Sequence, residues 1–219
     1  MAIAIVQSVS AGSSDGANVT SAGINTSGAD GIVVAMASSS GSPATGVSDS
    51  KSNTYSALTA QPASAGGSHI QLFYCAAPTV GSGHTFSNIG GTFQALIAVA
   101  LSGTNASPFY DGQQSTADGM QAGSITPSQA NCIAVAAFAY SSTSTPYTID
   151  GGFTIVDQMP LVGGQHYGIG LAYLIQTSAA AANPTWAGSG TLAASAIAAF
   201  RASGGGGGGS TFPALGVAL

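Results

Sequence analysis

Apolar and polar residues alternate with a period of two along most of the chain. Ile70, Leu72 and Tyr74 interleave with Gln71, Phe73 and Cys75, and Ile133, Val135 and Ala137 interleave with Cys132, Ala134, Ala136 and Phe138. Ile169, Leu171, Tyr173 and Ile175 share one face of 168–176. Such alternation over short runs marks strands with one or both faces against a core. It predicts strands over 2–9, 18–25, 31–38, 54–61, 68–76, 84–89, 93–102, 131–140, 147–149, 153–157, 167–176 and 192–201. Turn signals separate them: Ser-Gly-Ser-Pro at 40–43, Ala-Gly-Gly at 65–67, Val-Gly-Ser-Gly at 80–83, Asp150-Gly151 and Val162-Gly-Gly. In Asp150-Gly151 the glycine accepts the positive φ of a tight hairpin at little cost. The alanine-rich stretch 179–182 is stopped by Asn183-Pro184, so helix evidence is thin. The expectation is an all-β fold, an antiparallel β-sandwich of jelly-roll-like kind. A pair of immunoglobulin-like sandwiches broken near 103–130 is the competing arrangement. With no clear linker there, and with Phe109, Tyr110 and Met120 to bury, one domain over 1–203 is preferred.

The C-terminus departs from this pattern. After Ser203 comes an unbroken run of six glycines, Gly204–Gly209, in a linker over 204–210. Beyond it lies an apolar arm, 211–219, carrying Phe212, Pro213, Leu215, Val217 and Leu219. Glycine runs hold no fixed conformation, so the arm is expected to be flexible in reach, with six residues spanning about 13 Å r.m.s.. Leu215, Val217 and Leu219 alternate as a strand added to another sheet would require, which makes them the expected partner-docking residues.

Charge narrows the function. Of 219 residues only 4% are charged: the cations Lys51 and Arg201, and seven carboxylates, all aspartate. Two isolated cations cannot neutralise a phosphate backbone, so no nucleic-acid partner is expected, and a basic membrane-surface helix is excluded likewise. The longest apolar runs, Phe93–Leu101 and Cys132–Tyr140, are about half the length a membrane-spanning helix needs. The N-terminus lacks a cationic region ahead of its apolar residues and reads as a strand rather than a signal peptide. Hydrophobic residues at 45% and a mean hydropathy of +0.35 supply enough apolar surface for a core. Cys75 and Cys132, both in apolar runs, are expected as buried free thiols.

Candidate chemistry is sparse. Gly12-Ser-Ser14-Asp-Gly16 matches a nucleophile elbow in letters only, since it lies between two expected strands and not at a strand-to-helix turn. His69, His84 and His166 have no metal-ligand partner at short spacing. Asp49 and Asp150 read as turn formers, while Asp15, Asp111 and Asp118 fall in expected polar loops. A calcium site on Asp111, Asp118 and loop carbonyls lacks the alternating Asp pattern such loops use. No catalytic residue, metal or cofactor is therefore assigned. For a carbohydrate- or receptor-binding module, the first suspects are Trp186, Tyr110 and Asp111, as an aromatic platform beside an acid.

A set of segments in order resembles a family of phage and bacterial β-sandwich proteins. They are Val47-Ser-Asp-Ser-Lys-Ser-Asn-Thr-Tyr55, Ile70-Gln-Leu-Phe-Tyr-Cys-Ala-Ala-Pro78, Gly83-His-Thr-Phe86 and Ala95–Gly103. Thr126-Pro127, Ile133–Tyr140 and Ala198-Ala-Phe-Arg201 continue the likeness, which spans about 30–201. The resemblance implies a structural role on a virion and carries over no active site. The expectation is thus a non-enzymatic bacteriophage virion structural protein, a capsid decoration or cement protein. It would be made in the host cytoplasm, form a homo-oligomer, and bind the major capsid or another virion protein.

Overall fold

The longest apolar runs are buried on both faces, and this sets the number of layers. In the computed structural model, the described residues are 2–203 except 15, 17, 40, 63–66, 106, 144–146 and 189–190. The expected linker and docking arm, with Phe212, Pro213, Leu215, Val217 and Leu219, lie outside the described residues.

The strands in chain order are β1 (Ala4–Gly12), β2 (Gly31–Ser39), β3 (Gly46–Asp49), β4 (Ser56–Ala57), β5 (Gln61–Pro62), β6 (Ser68–Ala76), β7 (Phe86–Ile89) and β8 (Ala95–Ser102). They continue with β9 (Tyr110–Asp118), β10 (Cys132–Ser141), β11 (Thr148–Ile149), β12 (Thr154–Met159), β13 (Gly168–Gln176), β14 (Trp186–Ala187) and β15 (Thr191–Arg201). One antiparallel sheet runs β1-β8-β2-β6-β4, with β5 also on β6; a second runs β12-β13-β10-β15-β9. The two face each other over a shared core that includes Val33, Leu72, Ile97 and Phe109 with Ile133, Leu171, Ala196 and Phe200. The expected all-β antiparallel sandwich is therefore present. No helix occurs among the described residues, and none is long and apolar enough to cross a membrane.

The outer faces are covered too. Ile32, Val34, Met36 and Phe73 of the first sheet lie under Val19, Ile24, Val47 and Phe86, supplied by 18–29 and the β3–β7 pair. On the second sheet, Ala134, Ala136, Phe138 and Tyr140 lie under Ile125, Tyr147, Phe153 and Trp186, supplied by 120–127 and the β11–β14 pair. Apolar runs such as Ile32–Ala37 accordingly read as strands buried on both sides.

The two halves of the chain repeat one topology. The order β1-β8-β2-β6-β4 in the first sheet is matched by β9-β15-β10-β13-β12 in the second. Each cover is tied down by two single bridges, Thr20–Ser87 and Ile24–His84 in one, Gln121–Thr185 and Ile125–Ala182 in the other. The inner faces match residue by residue: Ile70, Leu72 and Tyr74 pair with Ala37, Ala35 and Val33, while Ile169, Leu171 and Tyr173 pair with Ala139, Ala137 and Val135. Across the sandwich β1 meets β12, β5 meets β9, β6 meets β15, β8 meets β13 and β2 meets β10. Those pairings exchange equivalents, so an approximate two-fold axis passes between β2 and β10. The sheets divide near 103–109, where the competing two-sandwich arrangement placed its break, yet the largest core lies between the halves.

Several local expectations differ, among them 54–61, expected as one strand, which forms only the two-residue strands β4 and β5 on β6. Residues 110–118, read as a polar loop, form the edge strand β9; Tyr-Asp-Gly-Gln-Gln-Ser-Thr-Ala-Asp has no apolar alternation because its outer side packs under no neighbouring strand. Residues 18–25, expected as a strand, make only the single bridges to β7 and His84. The short cover strand β3 lay outside the expected strands, and only its last residue, Asp49, was read as a turn former.

Candidate functional site

The densest polar cluster is buried in the first cover. Asp49, at the end of β3, accepts hydrogen bonds from the backbone N–H of Lys51 and Asn53, from Asn53 Nδ2, and from the Tyr55 hydroxyl at 2.7 Å. His84 Nε2 donates to Asp49 Oδ2 at 2.9 Å, and its Nδ1 lies 2.9 Å from Thr26 Oγ1. The Asp49 carboxylate would be pushed up by burial alone. The Asn53 backbone, the Tyr55 hydroxyl, the Asn53 side chain and His84 together outweigh that and hold it at about 2. The Tyr55 hydroxyl is driven the other way, upward, by burial and by donating to Asp49.

A hydroxyl, an imidazole and a carboxylate in line have the connectivity of a nucleophilic triad. Here Thr26 and His84 are fully buried, and Thr26 Oγ1 also accepts from Gly81 N–H. The His84 ring stacks on Phe86 with centroids 4.5 Å apart. The cluster fastens the 18–29 segment and the 79–86 loop to β3. Sequence reasoning took Asp49 for a turn former, which its bond to Lys51 N–H bears out. The pairing with His84, thirty-five residues away, carried no local signal.

A second cluster sits where the chain leaves β15. Arg201 Nε donates to Asp111 Oδ1 at 2.7 Å, and Arg201 Nη2 donates to Ser128 Oγ. Ser128 in turn gives both its N–H and its hydroxyl to the Asp111 carboxylate. Asp111 is thus committed to a clamp joining β9, β15 and the 128 loop. Asp118 stands at the other end of β9, about 23 Å away along an extended strand, so the two do not share an ion. Among the described residues no group of three His, Cys, Asp or Glu side chains is placed to hold a metal.

The expected sugar platform is not assembled. Trp186 is 2% exposed and stacks on Phe138 with centroids 4.2 Å apart, beneath its cover. Tyr110 is half-buried on the opposite face of the same sheet, against Tyr74 and Phe200. Trp186 is apolar enough to be consumed by the second core, and Asp111 is spent on Arg201. Cys75 and Cys132 are buried free thiols, as expected, in different parts of the core, and burial pushes both thiols up, Cys132 to about 11.

One open groove of about 270 Å³ lies between the halves, lined by Ser39, Phe93, Leu161, Val162, His166 and Tyr167. His166 is buried against Gly12, and its Nδ1 meets the Tyr167 carbonyl at 3.0 Å, so it turns no free nitrogen pair toward a ligand.

The remaining surface with unsatisfied chemistry is the sheet edges. Among the described residues β1, β9 and β12 each pair with one neighbour only, and none of them, nor β4 or β5, carries a lysine or arginine. Lys51 is engaged with the Ser82 carbonyl and Arg201 with Asp111. The residues at these edges are instead Gln, Ser, Thr and Asp, as in Gln113-Gln114-Ser115-Thr116 of β9. Compared with family models and with curated proteins, the chain matches none.

Proposed function

We propose that this chain is a non-enzymatic structural protein of a bacteriophage virion, a capsid decoration or cement protein. It is held on the head by its sheet edges and its C-terminal arm, and it works as a homo-oligomer on the major capsid or another virion protein. The observation that carries this reading is the set of edge strands without lysine or arginine. Sheet proteins commonly guard exposed edge strands with lysine, and here the edge strands have none. Neighbouring subunits in a symmetric shell cover such edges without any charge. The resemblance of 30–201 to phage and bacterial β-sandwich proteins points to the same setting. The arm would add reach, since sixteen residues beyond Ser203 would span about 50 Å if fully extended.

The test is co-sedimentation with particles. A chain ending at Ser203 is expected to keep its far-ultraviolet circular dichroism and to stay in the supernatant, whereas the full chain pellets with the particles. Pelleting of the shortened chain would take the arm out of the mechanism, and failure of the full chain to bind any particle would end the assignment.

A further inference from the structure

We propose that the groove between the halves binds one ring of a neutral pyranose sugar, with Phe93 and Tyr167 as its stacking platform. The proposal goes beyond the particle assignment and does not rest on it.

The internal repeat supplies a control for this corner. Ala37 pairs with Ala95 and Ile70, and Ala139 pairs with Ala194 and Ile169. Counting back from these equivalents, Phe93 corresponds to Leu192, His166 to Gly67 and Tyr167 to Ser68. The backbone agrees. Phe93 has φ 56° and Leu192 φ 55°, and among the described non-glycine residues these two are the large apolar ones in the left-handed region. Each carbonyl is held by the opposite half, that of Phe93 by the Tyr167 N–H and that of Leu192 by the Ser68 hydroxyl. One corner is thus built twice, once with Phe, His and Tyr and once with Leu, Gly and Ser. The fold does not require the rings.

Phe93 is held in place at the groove. Its N–H donates to the Gly16 carbonyl at 3.0 Å, and its own carbonyl accepts from Tyr167 N–H at 3.1 Å. Part of the ring covers Gly16, while 36% of the residue stays exposed and lines the groove with Tyr167, Leu161 and Val162. A bulky side chain in the left-handed region is strained, and such strain persists where the surroundings enforce it, characteristically at ligand clamps.

The loop beside the rings is bare backbone. Its own bonds join Val162 N–H to the His166 carbonyl, and the N–H groups of Gln165 and His166 to the Val162 carbonyl, using no group of Gly163 or Gly164. Gly163 lies outside the left-handed region, and a side chain there would meet nothing within 4 Å. Neither strain nor packing therefore calls for glycine at 163, and its absence of a side chain leaves peptide groups open to hydroxyls.

These parts select the chemistry of the occupant. No lysine, arginine or aspartate lines the groove, so nothing there offsets a full charge. A pyranose has a face of C–H bonds, which suits the negative face of an aromatic ring, and a girdle of hydroxyls, which suits bare peptide groups. The volume of about 270 Å³ falls below the roughly 300 Å³ at which sites for drug-sized ligands begin, as a single ring requires.

Saturation-transfer NMR on the full chain tests the proposal. The probes are the methyl glycosides of glucose, galactose, mannose and N-acetylglucosamine, with glucuronic acid and N-acetylneuraminic acid as charged counterparts. At least one neutral glycoside is expected to receive saturation on its carbon-bound protons and to shift the ring protons of Phe93 and Tyr167. Phe93→Leu and Tyr167→Ser install the residues of the equivalent corner. Each is expected to weaken that binding about tenfold while Trp186 emission and the urea midpoint stay close to native. Transfer to none of the neutral glycosides would overturn the proposal, as would equal binding in the native chain and both variants. Tighter binding of either acid would overturn it too. The ring shifts in the native chain read the site even if a variant misfolds, and rings unmoved by a bound sugar would sink it. Co-sedimentation reads particle binding separately, so either assignment can fail with the other standing.

Discussion

At the scale of single residues, Asp49 holds more of the fold than its place in a turn suggests. Its carboxylate gathers donors from Lys51, Asn53, Tyr55 and His84. Asp49→Asn keeps the shape but cannot accept them all, and is expected to cost about 3 kcal/mol, on the order of 10 °C in Tm by calorimetry. The carboxylate is held at about 2, below its ordinary 3.8, so its contribution is complete above 3.8 and fades as pH falls toward 2. His69 acts earlier on the same axis. Burial pulls it below its ordinary 6.5, so the folded state binds its proton less readily than the unfolded chain. The stability it contributes is complete above 6.5 and declines as pH drops below that. Urea unfolding midpoints across pH 2–8 are expected to fall in two stages, with His69→Gln removing the upper one and Asp49→Asn the lower. Gly170 shows the opposite kind of dependence, on space. A methyl group there would lie 2.3 Å from the Phe138 ring, and Gly168 stands in the same relation to Tyr140. Gly170→Ala is expected to destabilise by about 2 kcal/mol, read from the same urea curves.

At the scale of elements, legibility followed hydrophobic contrast. β2, β6, β8, β10, β13 and β15 were readable to within about two residues, because each is an apolar run whose length and β-branched content suit a strand. β9 was not, since an edge strand of Gln, Ser and Thr carries no period that separates it from a loop. The covers were half legible: β7 and β11 were expected, and β3 was not, because short pairings depend on partners far along the chain. The likeness of Ile70-x-Leu72-x-Tyr74 to Ile169-x-Leu171-x-Tyr173 was visible in the sequence, but only register shows that both face the same Val-x-Ala-x-Ala pattern. Of the residues suspected of touching sugar, Trp186 was misplaced for a simple reason: a stack on Phe138, which itself packs against Tyr140 and Tyr147, keeps it buried. As the lone tryptophan of the chain, it reports on the second cover. Its fluorescence is expected to peak on the blue side in the native protein, to shift red on unfolding, and to ignore added oligosaccharides. A native red-edge maximum would contradict its burial.

At the scale of the whole molecule, two similar halves share their largest core, and that sharing sets how the chain comes apart. Neither inner face is covered without the other, so the halves are expected to unfold together. Trp186 emission follows the second half and, in Cys132→Ala, thiol reactivity of buried Cys75 follows the first. Their midpoints in urea are expected to coincide. Separate midpoints would mean that each half stands without its counterpart. The repeat is not perfect, however, and the difference lies in what fastens the lids. One is latched by an ionised carboxylate and its donors, the other by stacked rings seated on glycine. The slab is therefore two-sided in temperament: vinegar reaches the common stability through one flank, and solvents that wet aromatic carbon reach it through the other.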